Sequence, residues 1–145
     1  MTTLEFQSAP AIDRPLGRSI KRGLIGKCPN CGEGNLFGKF IKPANNCAEC
    51  SEDFTPQRAD DLPAYIVVMV VGHVVVAGFL ATELLLGIPG WMHLAIWMPV
   101  TVLASLALLQ PVKGAVIGLQ WALRMHGFSG QDDGPADVLP MENVQ

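Results

Sequence analysis

Four cysteines, and only four, stand in two matched pairs, Cys28-Pro-Asn-Cys31 and Cys47-Ala-Glu-Cys50, with fifteen residues between them. Each C-x-x-C turn aims two sulfurs at one point, and a connection of this length lets the two turns face each other. The spacing is that of a zinc-ribbon four-thiolate site, so Cys28, Cys31, Cys47 and Cys50 are the candidate metal ligands. Gly32 and Gly34 permit the tight backbone that aims N–H groups at the sulfurs. Residues 27–58 form the module, with Asn35 to Ile41 suited to a strand and Pro43, Asn45 and Asn46 to its return loop. Phe37, Phe40 and Phe54 are its main apolar mass. So little core requires the metal to supply much of the folding free energy.

Met1 to Gly26 contains no apolar run resembling a secretion signal, so the cysteines are expected in a reducing compartment, where metal is favoured over disulfide. A thioredoxin-type dithiol would need a single C-x-x-C in a βαβ setting, which is absent. Zinc is the expected cofactor. Iron is the alternative, because Cys28-Pro-Asn-Cys31-Gly32 resembles one knuckle of rubredoxin.

After Asp61 the chain changes character. Half of its 145 residues are hydrophobic, and they concentrate here. Leu62 to Thr82 carries no formal charge and, at about 1.5 Å per residue, covers roughly the 30 Å of bilayer hydrocarbon. Asp61 is placed to cap this helix, and Pro63 is tolerated in its first turn. Gly87-Ile88-Pro89-Gly90 reads as a turn, and Trp91 to Leu109 as a second span. The predicted hairpin is 62–86 and 91–110. Gln110-Pro111 then ends the second helix, and 112–126 forms a short amphipathic helix at the membrane face, with Trp121 at the interface. Gly114 and Gly118 make a G-x-x-x-G pair, in so short a segment a weak signal for helix contact.

The net charge of −3 conceals segregation. Arg14, Arg18, Lys21, Arg22, Lys27, Lys39, Lys42 and Arg58 all precede the first span, whereas the loop between spans carries Glu83 and no base. The positive-inside rule places both termini and the cysteine module in the cytoplasm, and Lys113 and Arg124 agree. Within 13–26, Leu16, Ile20 and Leu24 recur every four residues among Arg18, Lys21 and Arg22, a short basic amphipathic helix suited either to anionic headgroups or to packing on the module. Residues 1–12 read as a disordered leader and 127–145 as an acidic disordered tail. The fold class is therefore a mainly α membrane protein. It comprises a small cytoplasmic zinc-ribbon-like module, a two-helix transmembrane hairpin and an interfacial helix.

Other side chains invite a role. His73 falls near the middle of the first span, where an ionisable group is costly and marks either a functional site or a neutral imidazole bonded to a helix carbonyl. His93 lies much nearer the outer turn, so a bis-histidine site within the chain is not expected. Glu83 and His93 are close enough in depth to pair, although solvation at the interface explains them equally simply. Arg58, Asp60, Asp61 and Tyr65 cluster where module meets membrane. Lys21, Arg22 or Arg124 are candidates to bind those carboxylates, and the same residues suit a docking surface. No nucleophile triad, phosphate loop or H-E-x-x-H is present, which argues against an enzyme. A basic ribbon can bind nucleic acid, but an adjacent bilayer is the simpler electrostatic partner.

The run Arg22-Gly-Leu-Ile-Gly-Lys-Cys-Pro-Asn-Cys-Gly-Glu-Gly-Asn-Leu-Phe, the later Cys-Ala-Glu-Cys, Arg58-Ala-Asp-Asp-Leu-Pro-Ala-Tyr and Val71-Gly-His73 resemble the bacterial family labelled domain of unknown function 983, over about residues 14–126. The resemblance implies a small inner-membrane protein with a cytoplasmic cysteine module and two spans, and an association with respiratory oxidase biogenesis, but it supplies no activity. A closed four-thiolate site leaves no open position for catalysis, so the expected function is a non-enzymatic scaffold or assembly factor that binds other membrane proteins, with a rubredoxin-like electron carrier or a metal-delivery protein as the alternatives. Ser51 departs from the pattern, since a glycine matching Gly32 would be usual there.

Overall fold

The computed structural model describes residues 14–129; the leader and most of the acidic tail lie outside the described residues. Three helices follow in order: α1 Leu16–Leu24, α2 Leu62–Leu86 and α3 Gly90–Ala122. The cysteine module occupies the connection between α1 and α2.

Helices α2 and α3 pack together as a hairpin. Gly87 ends α2 in the left-handed conformation at φ 54°, its N–H reaching Glu83 O at 3.1 Å, the usual glycine solution to a helix C-terminus. The hairpin closes where the Trp97 ring lies against Gly78, at a distance no Cβ would allow. Both helices are long and apolar enough to cross a membrane. Their large side chains are turned outward: Leu84 is 83% exposed and Leu103 67%. Pro63 sits in the first turn of α2, and Asp61 takes the N-cap position without making a side-chain cap bond.

Helix α3 corrects the sequence reading. It runs unbroken through Pro99 and Pro111 to Ala122, so the second span and the segment from 112 are one helix of 33 residues. Proline removes one N–H and crowds the carbonyl four residues earlier, which bends a helix more readily than it ends one when later turns are held by packing. Here they are held. At about 1.5 Å per residue α3 reaches about 50 Å, some 20 Å more than bilayer hydrocarbon. Its last three turns enter the core of the cysteine module. Val116 and Ile117 join Cys28, Leu36, Cys47, Phe54 and Ala59 in a single buried cluster. Trp121, expected at the lipid interface, is 3% exposed inside the protein.

Of the two long helices, α1 packs against α3. The contact is made by small residues on both sides: Gly23 meets Gly114, and Ser19 meets Gly118. The G-x-x-x-G pair is therefore a real helix contact, matched by Ser19-x-x-x-Gly23, and backbones approach where side chains are absent. The buried side of α1 is this small-residue side, not the Leu16–Ile20–Leu24 stripe, of which Leu16 is 43% and Leu24 44% exposed. A Cβ at position 114 would collide with Gly23 backbone. Gly114→Val is expected to lift α1 from α3 at a cost of about 3 kcal/mol, the upper range for overpacking. Hydrogen exchange should rise at α1 amides and stay unchanged in α2.

Candidate metal centre

Two knuckles of matching geometry present the cysteines. In the first, Gly32 N–H returns to Cys28 O at 2.9 Å; in the second, Ser51 N–H returns to Cys47 O at 3.0 Å. Each knuckle is closed by one antiparallel bridge, Lys27 with Asn35 and Asn46 with Asp53, and a third, Phe37 with Pro43, closes the loop between them. Residues 35–41, expected as a strand, form only these isolated bridges. The module is too small to pair a strand along its length, and its backbone bonds serve the two knuckles.

The knuckles bring the four sulfurs within 4.8 Å of one another. Cys28 and Cys50 Sγ are 3.7 Å apart, and Cys31 and Cys47 Sγ are 3.8 Å apart. A tetrahedron of metal–thiolate bonds of about 2.3 Å has edges of about 3.8 Å, so these separations are those of ligands around one ion. They are far from the ~2.05 Å of a disulfide. The cluster can hold a metal ion through four cysteines.

Electrostatics point the same way. Burial pushes the Cys28 and Cys50 thiols up from their ordinary value. Backbone N–H donation, chiefly from Gly34 and then Glu33, pulls Cys31 down to about 6 despite some burial. Four such sulfurs cannot all carry charge beside one another in a partly buried site, and a bound cation removes that penalty.

Local choices around the sulfurs are narrow. Gly32 has φ +81°, and a Cβ there would meet the Arg22 guanidinium, which reaches from α1 to donate to the Pro29 carbonyl at 3.1 Å and to that of Asn30. Arg22 thus secures the first knuckle rather than pairing with Asp60 or Asp61, and among the described residues neither it nor Lys21 forms an ion pair with those carboxylates. A Cβ at Gly34 would strike Cys47 Sγ. Ser51, where the first knuckle has glycine, sits at φ 58°. The left-handed region costs a non-glycine residue about 1–2 kcal/mol, offset partly by the greater chain entropy of glycine when unfolded. Ser51→Gly is expected to stabilise the module by about 0.5–1 kcal/mol, read as a small rise in melting temperature at constant metal loading.

The module is bolted to α3 through polar groups. The Gln120 side chain pairs with the backbone of Arg58, accepting from its N–H at 3.1 Å and donating to its carbonyl at 2.8 Å. Trp121 Nε1 donates to Glu52 at 2.8 Å, and the other Glu52 oxygen accepts from Asn30 at 2.9 Å. One carboxylate therefore ties the first knuckle to α3. The Arg14 guanidinium lies 4.4 Å over the Trp121 ring and donates to the Trp121 carbonyl at 2.8 Å. Gln120, Trp121 and Glu52 were not candidates from sequence. For Gln120 and Trp121 the only signal was a polar group on an otherwise apolar helix, and Glu52 in the module carried none.

The remaining candidates are dispersed. Arg58, Asp60, Asp61 and Tyr65 all lie at the surface where the module joins α2, with Tyr65 73% exposed. His73 is exposed on α2, its Nδ1 donating to the Met69 carbonyl at 2.6 Å. His93 is elsewhere: it is 3% exposed and its Nε2 is 2.8 Å from Glu83, with Thr82 at 3.4 Å from Nδ1 and the Phe79 ring beside it. The Glu83–His93 pair thus forms rather than being simply solvated.

Together these features define a helical protein with two apolar, potentially membrane-crossing helices and a four-cysteine head built onto the end of the second. The chain belongs to the family described as protein of unknown function (DUF983), whose model matches residues 37–121. The matched region includes Cys47, Cys50 and both long helices, while Cys28 and Cys31 precede it. No curated protein and no solved structure matches the chain significantly.

Proposed function

We propose that this protein is a non-enzymatic, membrane-anchored docking protein. Its zinc-ribbon-like head stands at the cytoplasmic face of the bacterial inner membrane and binds other membrane proteins as a scaffold or assembly factor. The observation that carries the reading is the closed site: four sulfurs at tetrahedral separations supply every ligand, leaving no position for substrate or water. Zinc suits such a structural centre, since it adds folding energy without redox chemistry. The exposed Arg58, Asp60, Asp61 and Tyr65 are the proposed docking surface. The crowding of basic residues on the head supports the cytoplasmic orientation of both termini, and the family resemblance makes respiratory oxidase biogenesis the setting to test first.

Purification from mildly solubilised native membranes is expected to recover defined membrane-protein subunits in constant ratio, and Tyr65→Ala with Asp61→Asn to lose them. Recovery of the protein alone, together with intact membrane complexes in a deletion strain, would overturn the proposal. Elemental analysis of protein made without added metal is expected to find one zinc per chain. A red protein holding one iron would instead favour rubredoxin-like electron transfer.

A further inference from the structure

The loop between the knuckles supplies no sulfur to the cysteine cluster. Phe40, expected in the core of the module, is 55% exposed, and Ile41 is 39% exposed. Phe54 supplies the core at 1% exposure. The two exposed residues form the tip of a five-residue loop, 38–42, closed by the Phe37–Pro43 bridge and by Gly38 N–H to Lys42 O at 3.1 Å. Lys39 and Lys42 flank them, both exposed, and neither forms a salt bridge among the described residues. An aromatic and an aliphatic side chain held out between two lysines is an amphiphilic tip.

Its position decides what it faces. The Phe37 ring at the loop's base lies beside Gly26 and Gly114. About twenty residues of α3 cross the hydrocarbon, so a helix entering near Gly90 leaves it near Gln110 and Pro111. Gly114 is then about one turn, roughly 5–6 Å, beyond the apolar boundary, at the depth of lipid headgroups. At this same level Leu24 and Ile25, 44% and 68% exposed, line a cleft of about 150 Å³ with Gln110 and Pro111. The loop tip, three to four residues from Phe37, has a reach of up to about 10–13 Å from that level.

We propose that Phe40 and Ile41 insert into an anionic lipid surface, with Lys39 and Lys42 on the phosphates, as a contact of the head with the bilayer separate from the two spans. This rests on the reading that α2 and α3 cross the membrane. Apolar side chains enter the acyl boundary while the lysine ammoniums stay with the headgroups, the arrangement found in interfacial segments. Each lysine adds attraction only to a negatively charged leaflet.

The test places p-benzoylphenylalanine at position 40, and separately at 41, in the full metal-loaded chain in nanodiscs of phosphatidylglycerol and phosphatidylcholine. Adducts are identified by mass after irradiation. Lipid adducts are expected at 40 and 41, falling at least threefold in phosphatidylcholine alone or with Lys39→Gln and Lys42→Gln. The same probe at Val102, on the outer face of α3, reports the spans. Lipid adducts at Val102 but none at 40 or 41 would overturn the loop contact and leave the spans intact. Absence at Val102 would overturn the spanning reading itself. Adducts at 40 with a second copy of the chain would assign the tip to self-association and overturn the lipid proposal.

Discussion

Replacing Cys28 with serine is expected to unfold the head while leaving the α2–α3 hairpin helical. Cys28 is fully buried, one of four sulfurs at ligand distance, and a member of the same core cluster as Leu36, Phe54 and Ile117. The module has no strand among the described residues and only three isolated bridges, so few other contacts oppose its chain entropy. Structural four-ligand sites of this size draw about 10–16 kcal/mol from metal binding near neutral pH, more than a core this small can replace. Hydrogen exchange should become fast across 27–59 and in α3 beyond Pro111, yet stay slow in α2. A strong chelator acting on the wild-type protein should give the same pattern, with metal loss and loss of protection at one rate. A Cys28→Ser protein with a protected head would show that the site is dispensable for folding.

Trp121→Ala is expected to have the next largest effect, about 3–5 kcal/mol, the range for removing a large buried aromatic side chain. The indole is almost wholly buried, covered on one face by Arg14, and holds Glu52, which in turn holds the first knuckle through Asn30. Its removal leaves a cavity between α3 and the module and deprives a partly buried carboxylate of one donor. Trp121→Phe separates the contributions: it retains most of the packing and should cost about 1–3 kcal/mol through the lost hydrogen bond. Denaturation followed by amide exchange in the head would measure both. Equal effects of the two substitutions would place the energy in the Glu52 bond, whereas a negligible effect of Phe would place it in packing.

The cysteine cluster was legible because it is local. Two C-x-x-C turns carry their own geometry, and the left-handed Gly32 and Ser51 follow from closing each turn within five residues. The two apolar runs were legible for a similar reason, since length and composition alone give a helix able to cross a membrane. The end of α3 was not. Proline at 111 is a helix-ending signal in isolation, and the contacts that override it come from α1 and the module, residues about 60–100 positions away in sequence, where local propensity loses to packing. The buried face of α1 was not legible either. The apolar period of Leu16, Ile20 and Leu24 is real, but backbone approach at Ser19 and Gly23 requires the absence of side chains, which a hydrophobic pattern does not register.

The sequence by itself therefore determined that four cysteine sulfurs would gather at one point and that two helices would be apolar along their lengths, because both depend on neighbours a few residues apart. Only the tertiary structure decided that the second helix outlasts the membrane thickness and becomes the core of the head. It also decided that Trp121 is an anchor inside the protein and that Phe40 is turned out of it. Those outcomes depend on which distant surfaces meet. Small residues at Ser19, Gly23, Gly114 and Gly118 let the backbones of α1 and α3 close, and the same end of α3 buries Val116, Ile117 and Trp121 against the head, a contact between residues far apart in sequence.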